Sequence, residues 1–347
     1  MRLALPAIAA PRRTATDRAR AAARAVIRRA GVMLCAAGLA AAAAAADPAP
    51  GQWGQKAPLL EANSEFTLAS TGGRIYVLGG YPRGRVSVRT VQIYDIAADR
   101  WSRGPDLPEV NNHGMAAALD GVIYLFGGQT DPNTAYVDTV YALDTRQGAQ
   151  ARWVARAPMP TRRSAGVAVV HEGRIYVVGG RPPRGQDFAV YDPARDTWET
   201  LPPLPSQRNH IAVEVIAGRI HVFGGRLGGG FQSDKTAAHE VYDPATRRWS
   251  TAAPMLRPRS GINSVTAYGC VHVWGGEEAA GVFPDHDIYD PRSDRWTRLP
   301  PMAIPIHGVT GATFANGLIY VTGGGTEVGG NSGSLLNQVY RPQVRCE

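Results

Sequence analysis

A glycine pair closing a short β-branched and aromatic run, met six times at nearly even intervals, constrains this chain more than any other feature. Arg74-Ile75-Tyr76-Val77-Leu78 runs into Gly79-Gly80, and the same form returns at Val122 to Gly128, Arg174 to Gly180, Arg219 to Gly225, Cys270 to Gly276 and Leu318 to Gly324. Each copy has the pattern of a strand running into a turn, since branched and aromatic side chains suit a pleated surface. The second glycines stand at 80, 128, 180, 225, 276 and 324. A chain of 347 residues could hold one large domain or two small ones, and this repeat decides for one array.

Two further landmarks keep step with the glycines. Trp53, Trp101, Trp153, Trp198 and Trp249 each stand 26 residues before the first glycine of the next pair, and Trp296 stands 27 before. Tyr94, Tyr191, Tyr242 and Tyr289, each followed by Asp, lie seven residues before a tryptophan, and Asp-Pro starts a tight turn there in three cases. The second copy departs, with Thr145 to Arg152 inserted between Tyr141 and Trp153. A period near 50 accommodates four strands and their turns, the size of a propeller blade. The glycine pair, tyrosine and tryptophan together resemble the kelch family across Trp53 to Tyr340. That resemblance implies an all-β, six-bladed propeller with four antiparallel strands per blade. The sixth repeat reaches Tyr340 without a tryptophan, while Trp53 has no tyrosine before it. The segment around Trp53 is therefore expected to supply the outer strand of the last blade, which removes an exposed edge.

Residues 1–46 do not share the repeat. Arginines crowd Arg12 to Arg29, an uncharged alanine-rich run follows, and Ala44-Ala45-Ala46 precedes Asp47, the layout of a cleaved secretory signal. A single propeller over residues 47–347, periplasmic or secreted, is the expected mature form. Arg28-Arg29 leaves a twin-arginine route open beside ordinary secretion. The apolar run is a poor membrane span. Of the formal charge of +8, the leader with its eight arginines and one acid, Asp17, holds +7; from Asp47 onward 29 basic and 28 acidic residues leave +1. No uniform positive field for nucleic acid remains. Cys270 and Cys346 are the cysteines of the expected mature chain, and the blade order allows a disulfide between them as readily as two free thiols.

Binding residues are expected on the loops that join the second strand of a blade to the third (b-to-c) and one blade to the next (d-to-a), since these share a face around the channel mouth. The first set presents Arg83, Gln129, Arg181, Arg226 and Glu277; the second presents Asn112, His113, Arg163, Arg208, Asn209, His210, Arg259 and His307. Arginine, amide and histidine groups suit carboxylates, hydroxyls or acidic peptides, so a protein or glycan ligand is expected. His113, His210 and His307 fall in alternating repeats, but His307 sits two residues out of register, and neither a metal nor another cofactor is expected. Glu214 lies in an innermost strand where other repeats carry Ala69, Ala117, Val169, Val265 and Thr313. A carboxylate there is expected to face water or pair with an arginine, and it is the candidate general acid or base if the chain is an enzyme. The leading reading is an exported ligand-binding module. Resemblance in architecture to an exported kelch-type sialic acid mutarotase makes a sugar isomerase the alternative, with Glu214 as its acid or base. The absence of an adjacent Tyr-His and of extra domains counts against a copper oxidase like galactose oxidase.

Overall fold

The computed structural model describes residues 46–82, 84–130 and 135–346. The expected leader lies, but for Ala46, outside the described residues, and so does Arg83. Six sheets follow one another along the chain, each with its own four strands antiparallel, and Val309–Thr310 adds a parallel pairing to the inner strand of blade one. In the third blade Val167–His171, Arg174–Val178, Phe188–Asp192 and Thr197–Thr200 pair in chain order as strands a to d. Their first strand lies against the channel and their last at the rim. The apolar residues of each sheet are packed between blades: Phe188 of blade three, for example, meets Tyr242 of blade four edge to face at 4.8 Å.

The sixth blade is built from both ends of the described chain, as the repeat pattern predicts. Thr313–Ala315, Leu318–Thr322 and Asn337–Tyr340 are followed not by a later strand but by Trp53–Gln55, with Trp53 opposite Tyr340 and Gln55 opposite Gln338. Cys270 and Cys346 form a disulfide with Cα atoms 5.0 Å apart, which ties the end of the chain to blade five. The insertion in blade two forms a short 3-10 stretch, Thr145–Gln150, capped by Asp144. Among the described residues, no helix is long and apolar enough to cross a membrane.

The landmarks of the repeat turn out to join blades rather than strands. Each second glycine donates its N–H to a carbonyl of the next blade: Gly80 to Asn111 at 2.7 Å, Gly128 to Arg163 at 2.9 Å, and finally Gly324 back to Asn63 at 3.0 Å. The first glycine has no room for a side chain, since a Cβ on Gly127, at φ +52°, would stand 2.4 Å from the Arg163 carbonyl. Tyrosine and tryptophan grip the blade before their own. In blade three the Trp198 indole donates to the Ala157 carbonyl at 2.9 Å, while Asp196 accepts from the Ala157 N–H at 2.9 Å and from the Tyr191 hydroxyl at 2.5 Å. Blades one and five repeat this, with Tyr94, Asp99 and Trp101 on Ala57, and Tyr289, Asp294 and Trp296 on Ala253. The diagnostic residues are therefore staples that close the ring.

Candidate functional site

Where the inner strands begin, one residue from each blade adopts positive φ: Glu65, His113, Ala165, His210, Gly261 and Gly308, between +50° and +68°. Their backbones form a belt around the axis, with His113 N–H donating to the Glu65 carbonyl, Ala165 to His113, His210 to Ala165 and Gly261 to His210 at 2.8 to 3.0 Å. Left-handed backbone is cheap for glycine and strained for branched or bulky side chains. Blades five and six use glycine; blades one, two and four place Glu65, His113 and His210 there instead, all buried and aimed at the axis.

These three side chains and their supports seal the loop end of the channel. The Glu65 carboxylate lies 2.9 Å from His113 Nε2. Arg181 donates to His113 Nε2 at 2.9 Å and to the Gly229 carbonyl at 2.6 Å. Arg226 reaches His210 Nε2 at 2.6 Å and the Glu277 carboxylate at 2.9 Å. Glu277 also accepts the Gly329 N–H, and His307 Nδ1 lies 3.5 Å from its carboxylate. Burial lowers the pKa of His113 and, with the charges of Arg226 and Arg181, holds His210 well below the usual imidazole value. Burial works against ionisation of Glu65, but His113, His307 and Arg226 outweigh it and keep the carboxyl well below the ordinary carboxylate range. Between Glu65, His113 and His210 only about 10 Å³ of free space remains.

Below this plug the channel widens to about 330 Å³, lined by small apolar residues such as Ala69, Ala117 and Val169. Glu214 faces into it and accepts from Ser264 Oγ at 2.8 Å and Thr266 Oγ1 at 2.9 Å of the next blade, so its partners are hydroxyls and not an arginine. Burial raises its pKa, and those two hydrogen bonds pull against the rise.

The residues expected on the rim divide into three groups. His113, His210, Arg181, Arg226, Glu277 and His307 come together in the plug, with Asn112 and Asn209 behind the first two histidines. Gln129 is buried and bonds Asn112 backbone to backbone in both directions. Arg163, Arg208 and Arg259 do not reach the rim: they lie wholly inside their blades and hold backbone carbonyls, Arg208 donating to Gly224 and Ala238 and pairing with Glu240. Arg259 does the same for Gly275 and Asp285, and Arg163 for Val177 and Asp187. In blades one and two Asn63 and Asn111 occupy that place and bond the carbonyls of Gly79 and Gly127.

His307 stands one position before the belt, where Asn112 and Asn209 stand, and not two; the stretch after it, in which Val309–Thr310 pairs with Phe66 and Thr67 of blade one before Thr313–Ala315 opens blade six, accommodates the other displaced residue. Glu65 was not among the expected site residues. It stands 15 residues before Gly80, as His113 stands before Gly128 and His210 before Gly225, so the repeat itself carried the signal.

Comparison with known proteins settles the family. The model of the KLHDC2/KLHL20/DRC7 kelch-repeats domain matches residues 65–255. The chain belongs to the kelch-repeat family. Kelch-like protein 36 of Mus musculus is 55% identical over 56 residues, 16% of this chain and 9% of that protein. Kelch-like protein 35 of Mus musculus and kelch-like protein 25 of Xenopus tropicalis are each 26% identical, over 40% and 44% of this chain and 23% and 25% of their own lengths. The matched stretches thus span a quarter or less of these relatives, whose names are kelch-like and not those of mutarotases. For this kelch propeller the closed axial plug places the reachable loop surface outside the channel mouth.

Proposed function

We propose that this kelch propeller is an exported scaffold that docks a protein partner on its loop face. The observation that carries this reading is the exposed surface of the b-to-c loops. The polar groups at the axis are buried and engaged with one another, while Val86, Leu227 and Leu335, each on a different b-to-c loop, are 64%, 39% and 47% exposed. Apolar anchors among polar neighbours such as Arg85, Arg184 and Glu327 are what a peptide or folded partner desolvates, whereas a glycan wants open hydrogen-bonding groups. Export is supported by the leader-like run ahead of Asp47 and by the Cys270–Cys346 disulfide, a bond that persists in oxidising compartments.

Arrays of peptides and glycans probed with the protein test this. Peptide binding that falls at least about tenfold in Val86→Asp with Leu227→Asp, and is unchanged in Glu214→Gln, is the expected result. Glycan binding alone, or peptide binding lost with Glu214→Gln and kept in the loop variants, counts against a loop-face protein scaffold.

A further inference from the structure

The plug contains an inconsistency that its own hydrogen bonds expose. Asn112 spends its amide N–H groups on the Gln129 carbonyl at 3.0 Å and Ser87 Oγ at 2.7 Å, so its side-chain oxygen faces His113 Nδ1 at 2.5 Å. Asn209 donates to the carbonyls of Arg226 and Gly228, and its oxygen faces His210 Nδ1 at 2.6 Å. An amide oxygen only accepts, so both Nδ1 atoms carry a proton, and because Arg181 and Arg226 donate to the two Nε2 atoms, these turn a lone pair to the axis. His113 Nε2 then faces a donor, Arg181, and an acceptor, the Glu65 carboxylate, each at 2.9 Å. A lone pair and a carboxylate oxygen at that distance repel unless a proton or a metal cation lies between them, and a proton there would face the Arg181 N–H.

The geometry points to a divalent transition-metal site formed by Glu65, His113 and His210. Their donor atoms lie within 4.8 Å of one another, one carboxylate oxygen and two imidazole nitrogens. Bonds of about 2.0 to 2.2 Å to such ligands place neighbouring donors roughly 3 Å apart, close to the Glu65–His113 separation. A set of two histidines and one carboxylate with open positions suits Zn²⁺ and its first-row neighbours better than calcium or magnesium, which prefer all-oxygen ligands. An Nδ1–H held by a side-chain oxygen is the support that fixes a metal-binding imidazole in its tautomer and orientation. The backbone adds an independent argument. Positive φ at Glu65, His113 and His210, shared with Ala165, Gly261 and Gly308 at the same belt position, gives these three residues equivalent places around one axis. The two guanidiniums have other partners to fall back on: Arg226 keeps Glu277, and Arg181 keeps the Gly229 carbonyl. Glu277 and His307, which share Glu65 in a second possible donor set, stand next to the site.

Calorimetric titration of Zn²⁺ into the chelator-treated full chain, with Co²⁺ absorption as the spectroscopic readout, tests the site. One metal per chain is expected, with visible Co²⁺ bands of a nitrogen and oxygen environment. His210→Gly and Glu65→Gly place at the belt the residue that Gly261 and Gly308 already use, so they keep the fold and lose more than about tenfold in affinity. Asn209→Ala weakens binding through His210. Arg181→Ala, which frees His113 Nε2 and removes a positive charge, binds more tightly than the wild type, an effect that a merely structural plug would not produce. His272→Tyr, which alters a separate pair of imidazoles, leaves affinity unchanged. Absence of saturable binding to the wild type, wild-type affinity in His210→Gly or Glu65→Gly, or loss of binding in His272→Tyr overturns the assignment.

Discussion

Single residues in this protein show how one position in a repeat can be given different work. The second strand of a blade carries Tyr76, Tyr124, Tyr176 and Tyr320, but blades four and five carry His221 and His272 in that place. Each of these histidines bonds another from the adjacent strand, His221 to His239 at 2.8 Å and His272 to His286 at 2.9 Å, and all are buried. Burial lowers the pKa of His272 to about 4. In the unfolded chain it titrates near 6.5. The neutral form is therefore the folded form: its contribution is intact above about pH 6.5 and is lost progressively as pH falls toward about 4, by on the order of 3 kcal/mol. Urea unfolding of the wild type and of His272→Tyr at pH 7.5 and pH 4.5 measures this, and the tyrosine variant is expected to lose less stability between the two. A difference between the variants that does not change with pH would count against a titrating His272.

Elements are held to their neighbours by residues that punctuate the strands rather than by the strands themselves. The positive-φ aspartates Asp99, Asp196 and Asp294 cap the turn into strand d and hold the amide of the preceding blade, whereas blade four has Arg247 at that point, paired with Glu199. Asp196→Ala leaves the Ala157 N–H and the Tyr191 hydroxyl without their acceptor, a loss of about 1 to 3 kcal/mol in chemical denaturation. Arg247→Ala, whose exposed ion pair contributes little, is expected to change stability by less than about 1 kcal/mol. Equal effects of the two substitutions would mean that the staple is not what joins blades two and three. The tyrosine and tryptophan of this device were plain in the sequence because they recur; the aspartate two residues before the tryptophan recurs in only three blades and takes its meaning from the neighbour it binds.

The whole molecule is a ring, and a ring is as stable as its closure. Trp53–Gln55 completes blade six, Trp53 packs against Tyr340 with centroids 5.1 Å apart, and Ala57 just beyond accepts from the Trp101 indole and donates its N–H to the Asp99 carboxylate of blade one. A chain beginning at Pro58 in place of Asp47 would expose the Asn337–Tyr340 edge and leave the first blade without its grip on the last. Its thermal midpoint is expected to fall by several degrees and its sedimentation to show more association than that of the longer chain. A truncated chain that melts and sediments like the longer one would mean that the closing strand is dispensable.

The sequence alone determined the number of blades, the strands within each, the loops that share a face and the source of the closing strand. All of these follow from local pattern and its period, because a strand and its turn are specified by residues a few places apart. The face carrying Arg163, Arg208 and Arg259 was legible too, but not the direction of their side chains: each turned inward to backbone carbonyls left open where the strands of a blade part. The tertiary structure alone decided that Glu65, His113 and His210, far apart in the chain, meet at the axis. That meeting depends on the radius of the ring and on a left-handed backbone at one belt position, and neither is written in any single repeat.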